Sequence, residues 1–227
     1  LNIMDEENNV LFADFKLPKG YIIFISGVPG VGKTTISYEL LRRYNEIRIV
    51  EETDILREIL RGYHEFLKKH FGKEMDYMFE EINIAPHNLF LSYSEAAKQC
   101  TYMKHSLEEI IKRQKRKGIT TIINGVHIVP EILDGLCNNE NIIYLNLFVN
   151  NEQELYIRWR ERDKTKYTIS NLHIAFKTNK PLADKTLKLS KKKKFLFNNI
   201  DVSNLSLEQT IVEIIKCINQ QLQNSLA

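Results

Sequence analysis

An α/β fold, with a parallel five-stranded sheet covered by helices on both faces, is what this 227-residue sequence predicts. Three observations lead there. Five short apolar runs, at 21–26, 46–50, 119–124, 142–149 and 195–197, alternate with stretches whose apolar residues recur at helical spacing. The run at 142–149 is almost continuously apolar, as a strand covered on both faces must be. The first run leads directly into Gly27-Val-Pro-Gly-Val-Gly-Lys-Thr-Thr35, which fills the pattern G-x-x-x-x-G-K-[ST] between a strand and a helix.

In that setting the motif is a phosphate-binding loop. Its glycines let the backbone curl so that successive N–H groups face phosphate oxygens, and the following helix adds its positive end. The candidate nucleotide-binding residues are Gly27, Val28, Pro29, Gly30, Val31, Gly32, Lys33, Thr34 and Thr35. Lys33 is the candidate catalytic cation for the β- and γ-phosphates of ATP, and the Thr34 hydroxyl is the candidate ligand for Mg²⁺. Ile36, Leu40 and Tyr44 carry the helix, and Arg42 and Arg43 stand in its last turn, where the dipole favours cations.

The chain as a whole narrows the classes. A hydrophobic share of 43% with 27% charged residues suffices for one full core, so a single domain over 1–227 is expected. A net charge of +3 makes no global demand for nucleic acid, which is not an expected partner. Cys100, Cys137 and Cys217 are odd in number and lack C-x-x-C spacing, which fits a reducing compartment, with the cytoplasm the expected location. No stretch approaches the roughly 18 apolar residues of a membrane span, and no basic-then-apolar leader follows the opening Leu1-Asn-Ile-Met4, so no membrane contact is expected. The pattern carries no signal for an oligomer.

After the strand at 46–50 come Glu51-Glu-Thr-Asp54 and then Ile55, Leu56, Ile59 and Leu60 at helical spacing, closed by Gly62. Thr53 or Asp54 is the expected N-cap. A carboxylate leaving a strand's carboxyl end beside a phosphate loop lies in the crevice where open α/β sheets bind ligands. Asp54 is therefore a candidate general base for a substrate hydroxyl, and Arg57, on the same helix face, a candidate clamp for an anionic substrate. Arg61 fits that face less well. The stretch 63–72 continues helically, 74–82 is a short helical piece, and Pro86 breaks the pattern. A long helix over 88–117 ends in Arg113, Lys115, Arg116 and Lys117 before Gly118, a basic turn that dipole complementarity explains. His64, His70, His87 and His105 lack metal-ligand spacing.

The strand at 119–124 runs into Gly125-Val-His-Ile-Val-Pro130, with Pro130 opening a short helix that ends near Gly135. Asn138, Asn139 and Asn141 mark a loop, and Asn150 or Asn151 caps a helix over 152–163 that carries Arg158 and Arg162 four residues apart, with Trp159 as core or lid packing. A helical stretch over 168–189 is interrupted by Pro181, the lysines of 191–194 read as a solvated helix end, and an amphipathic helix over 207–222 closes the chain.

A phosphate loop, an x-T-D-x-x-R segment after the second strand and a strand ending in G-V-H-x-V-P together resemble the 2-phosphoglycerate kinase family of P-loop kinases. The resemblance follows the order of elements through most of the chain and is close at 27–35, 53–57 and 125–130. It implies a P-loop NTPase fold of the nucleoside-kinase type with strand order 2-3-1-4-5. It also implies ATP with Mg²⁺, and phosphoryl transfer to a hydroxyl of a small, often phosphorylated or carboxylated, acid. The stretch 63–117 is then a helical insert on the substrate side. By likeness to P-loop kinases, 151–167 is the lid, and Arg158 and Arg162 are the catalytic charges that close over the transferring group. His127 either contacts substrate or nucleotide or packs the turn.

This chain departs from the family at one position. The family usually carries a glutamate before G-V-H, and here Asn124 stands at the strand end where P-loop proteins place the acid that supports Mg²⁺. Either Glu51, Glu52 or Asp54 supplies that carboxylate, or water-mediated contacts through Asn124 suffice, or turnover is weak or absent. The sequence thus predicts a kinase acting on a small anionic metabolite. The alternatives are a kinase for nucleic-acid 5′-hydroxyls and a nucleotide-binding protein without turnover.

Overall fold

A computed structural model describes residues 16–72, 91–137, 141–162, 168–193 and 195–225. The strands are β1 (Ile22–Ser26), β2 (Ile47–Glu52), β3 (Thr120–Gly125), β4 (Ile142–Phe148) and β5 (Phe197–Asp201). They form one parallel sheet in the order β2-β3-β1-β4-β5. The helices are α1 (Lys33–Arg43), α2 (Thr53–Phe71), α3 (Tyr93–Lys117), α4 (Pro130–Leu133), α5 (Glu152–Arg162), α6 (Ile169–Lys192) and α7 (Leu207–Ser225).

Every residue of β1 is buried, because the strand sits at the centre of the sheet with helices on both sides. Helices α1 and α7 cover one face and touch each other, while α3, α4 and α6 cover the other. Parallel strands need such crossovers, and the crossovers place the start of each following helix at the carboxyl edge of the sheet. The P-loop, the start of α2 and the turn after β3 all leave that edge. Arg43 ties α1 to α7 through paired hydrogen bonds to Glu208 of 2.6 and 2.7 Å.

Several boundaries differ from the sequence expectation, each for a physical reason. Strand β2 runs on through Glu51 and Glu52, paired along β3 as far as Asn124. Helix α2 continues past Gly62, where a side chain would meet open space, so the glycine costs only its propensity of about 1 kcal/mol. The side chains of Thr53 and Asp54 do not cap it; Glu52 is the N-cap and makes no side-chain cap bond. Helix α3 begins after Ser92, whose hydroxyl and Glu95 form a reciprocal capping box. Pro181 does not interrupt α6, because Leu172, Ala175, Thr178, Asn179 and Leu182 bury one continuous face around it. Strand β5 starts only at Phe197, after Phe195 adopts a left-handed φ of 69°. The helical piece expected over 74–82, the break at Pro86, His87, Asn138, Asn139 and Lys194 lie outside the described residues.

Both basic runs have local explanations. Lys115, Arg116 and Lys117 end α3 before Gly118, whose left-handed N–H returns to the Gln114 and Lys115 carbonyls. Lys191 and Lys192 end α6, and Lys193 pairs with Asp134 at 2.7 Å. Among the described residues no helix is long and apolar enough to cross a membrane.

Candidate active site

The P-loop joins β1 to α1. Val28 and Val31 bury their side chains completely in the core, so they offer the site only backbone. Gly32 is the N-cap of α1 with a φ of 95°, and no side chain caps the first turn, which also holds no acidic residue. The first N–H groups of α1 therefore face outward with the helix dipole behind them, an arrangement that favours anions. Lys33 Nζ donates to the Val28 carbonyl at 2.9 Å, which holds the ammonium over the loop. Thr34 and Thr35 follow it with exposed side chains. These groups fit the phosphates of a nucleotide, and the exposed Thr34 hydroxyl fits a cation carried with them.

Helix α5 is pinned against this loop. The indole N–H of Trp159 donates to the Pro29 carbonyl at 2.9 Å. A Cβ on Gly30 would lie 2.1 Å from that indole nitrogen, so only glycine lets the ring come this close to the loop. Trp159 thus joins the helix expected to carry the lid to the loop expected to hold phosphate. Arg158 on the same helix donates from Nε to Glu154 at 2.9 Å and from its NH2 group to the Val202 carbonyl, in the turn after β5. That turn is ordered by Asp201, which accepts from the Ser203 backbone at 3.0 Å and its hydroxyl at 2.6 Å. Arg160 lies over the Tyr156 ring, and Arg162 ends the helix.

The other two sequence motifs meet directly. Thr53 opens α2 and is buried; its hydroxyl is 2.9 Å from Nδ1 of His127, which is completely buried in the turn after β3. Gly125 makes this contact sterically feasible, since a Cβ there would stand 1.7 Å from Thr53 Oγ1. The carbonyl of Ile128 accepts from Ser26 at 2.6 Å and from Tyr144 at 2.7 Å, which fixes the turn to β1 and β4. Ser26 and Tyr144 gave no sequence signal, because each looks like an ordinary strand residue.

Asp54, exposed, has Oδ1 at 3.8 Å from His127 Nδ1 and 3.8 Å from the Arg57 guanidinium. Arg57 is largely buried and also lies 3.4 Å from Glu58, while Arg61 pairs with Glu58 at 2.8 Å on the outside of the helix. Burial pushes the His127 imidazole down to about 4; Asp54 opposes that shift, and Arg57 and Lys33 reinforce it. His127 is thus neutral near pH 7, and its position near both cations links the α2 group to the P-loop. Among the described residues, His127 Nε2 and Arg57 Nε are buried without a hydrogen-bond partner. Such groups cost free energy unless a ligand or water meets them.

Asn124 is buried, and its Nδ2 donates to Ser37 Oγ at 3.1 Å. Ser37 spends its own proton on the Lys33 carbonyl at 2.8 Å, so the amide must present its NH₂ side to the serine. A groove of about 440 Å³ between β5 and α7, lined by Ile200, Leu205, Val212 and Cys217 among others, includes neither the P-loop nor Thr53, Asp54, Arg57, Asn124 or His127.

No protein-family model matches the chain. Over 223 residues it is 26% identical to a protein named 2-phosphoglycerate kinase from Methanococcus maripaludis, an alignment covering 89% of this chain and 66% of that relative. A protein of the same name from Pyrococcus horikoshii is 28% identical over 218 residues, covering 92% of this chain and 67% of its own. A third, from Methanothermobacter thermautotrophicus, is 30% identical over 139 residues, 58% of this chain and 44% of its own. The chain resembles 2-phosphoglycerate kinases. It spans about two thirds of the length of the first of these relatives. A gluconokinase from Sinorhizobium meliloti shares the fold with a TM-score of 0.57 at 12% identity, covering 91% of this chain and 96% of that one. A thymidylate kinase from Candida albicans does so at 0.53 and 12%, covering 91% and 95%. The fold is that of the P-loop kinases.

Proposed function

We propose that this chain is an ATP-dependent kinase that transfers the γ-phosphoryl group to a hydroxyl of a small anionic metabolite, with 2-phosphoglycerate the first candidate. The observation that carries the reading is the junction of the two outer motifs. Thr53 meets His127 over Gly125, and this sets Asp54 and Arg57 near a P-loop whose uncapped helix start favours phosphate. The named relatives support the choice of acceptor.

In this reading the backbone of residues 27–35 cradles the phosphates of ATP, and Lys33 exchanges the Val28 carbonyl for phosphate oxygens. Asp54 accepts the proton of the attacking hydroxyl, and Arg57 with His127 Nε2 takes the anionic group beside it. Arg158 leaves Glu154 and, with Arg162, closes over the transferring group, so that catalysis rests on positioning and charge neutralisation. Thr34, together with the phosphates, would hold Mg²⁺, which would supply charge neutralisation there. Small-molecule substrates and a cytoplasmic setting belong to the same proposal.

The test is ADP release from Mg·ATP with a panel of acceptors: 2-phosphoglycerate, related acids, sugars, nucleosides and a 5′-hydroxyl oligonucleotide. Release that depends on a small anionic acid is the expected result. Release driven only by the oligonucleotide, or nucleotide binding with no acceptor-dependent release, would overturn the proposal.

A further inference from the structure

The charge missing from the end of β3 has a counterpart one strand away. Strands β2 and β3 are parallel, and Glu52 is the register partner of Asn124. Side chains of paired residues in a parallel ladder point to the same face of the sheet. That of Asn124 reaches Ser37 on α1, so Glu52 also projects toward α1. Its carboxylate charge acts on Tyr38 and pushes that phenol above its ordinary pKa. Tyr38 lies four residues after Thr34, on the stripe of α1 that the exposed Thr34 hydroxyl begins.

We propose that Glu52 supplies the carboxylate that supports the divalent cation at the P-loop, in place of an acid at the end of β3. The proposal rests on the kinase reading. Asn124 cannot serve: it is neutral, and its amide is spent on Ser37, which fixes the first turn of α1. Strand alternation turns Glu51 to the opposite face. Asp54 lies in the first turn of α2, between His127 and Arg57. Among the described residues no group of three or more His, Cys, Asp or Glu could hold a metal alone. The cation must therefore arrive with nucleotide phosphates, keep several waters, and need only one carboxylate to orient them. A glutamate carboxylate on the α1 face of the sheet is suited to accept hydrogen bonds from such water.

The test is calorimetric binding of a non-hydrolysable ATP analogue to the whole chain, titrated with Mg²⁺. In Glu52→Gln, which keeps the shape and removes the charge, Mg²⁺-free affinity should stay within about 2-fold, because the phosphate cradle is untouched. The Mg²⁺ concentration for half-maximal tightening should rise by about 10- to 100-fold. Adding Asn124→Asp to that variant should recover much of the loss, because the carboxylate returns to the same face one strand over. A Glu52→Gln variant with the wild-type Mg²⁺ response overturns the assignment of Glu52. A wild-type chain that binds no nucleotide with or without Mg²⁺ overturns the kinase reading instead.

Discussion

Replacing Gly125 by alanine should break the contact that joins the turn after β3 to the start of α2. The added Cβ would stand 1.7 Å from Thr53 Oγ1 and 3.0 Å from Thr53 Cβ. Unbonded heavy atoms do not approach within about 3 Å, so the hydroxyl must retreat by about 1.3 Å. At that distance it can no longer hold His127 Nδ1, now 2.9 Å away, and the imidazole is left buried and unmet. The unmet group costs about 1–3 kcal/mol, and alanine at a φ of 155° adds about 1–3 kcal/mol of strain. In a chain of this size each kcal/mol lowers Tm by about 2–4 °C, which puts the drop at roughly 5–20 °C. The assay is urea unfolding of wild type, Gly125→Ala, Thr53→Ala and the double variant. Removing Oγ1 opens the space the new methyl needs, so Gly125→Ala should cost at least about 1 kcal/mol less in the Thr53→Ala background. Equal costs in both backgrounds would refute the interlock.

Three further outcomes are expected. Asp54→Asn should lower kcat by about 10²- to 10⁴-fold while leaving ATP affinity within a few-fold, measured by steady-state kinetics beside calorimetry; an unchanged rate would leave Asp54 as a surface residue of the first turn of α2. Trp159→Phe should keep the ring on the P-loop but lose the bond to the Pro29 carbonyl, lowering stability by about 1 kcal/mol and weakening nucleotide binding; unchanged urea midpoint and affinity would contradict the pinning of α5. His127, depressed to about 4, stays neutral in the folded chain while the unfolded chain takes up its proton from about pH 6.5 downward. Its contribution to stability therefore falls as pH drops from about 6.5 to about 4, by up to about 3 kcal/mol. His127→Gln should flatten that part of the pH–stability profile, and an identical profile would refute the burial effect.

The parts legible in the sequence were those whose physics is local. The P-loop needs glycines and a lysine at fixed spacing, and central strands need continuous apolar runs, so β1 and β4 could be read directly. Strand β5 was harder: Asn198 and Asn199 look like a loop, yet Asn199 bonds both Asn146 and the Ala183 carbonyl inside the fold. Pro181 misled for a similar reason, since a buried helix face outweighs one lost N–H. At the site, Thr53 read as a cap because nothing local shows that Gly125, 72 residues later, clears space for its hydroxyl to reach His127. A glycine two residues before a histidine at a strand end was the available signal. The pairing of Glu52 with Asn124 was hidden until β2 was seen to extend to the end of the ladder.

The most direct measurement follows the γ-phosphoryl group by ³¹P NMR in a mixture of this chain, Mg·ATP and 2-phosphoglycerate, with Lys33→Ala as control. The account predicts a new phosphomonoester resonance that grows as ATP is consumed, together with ADP, and that is lost by at least about 100-fold in the control. ATP unchanged in both samples, or hydrolysed to inorganic phosphate at the same rate with and without acceptor, would contradict it.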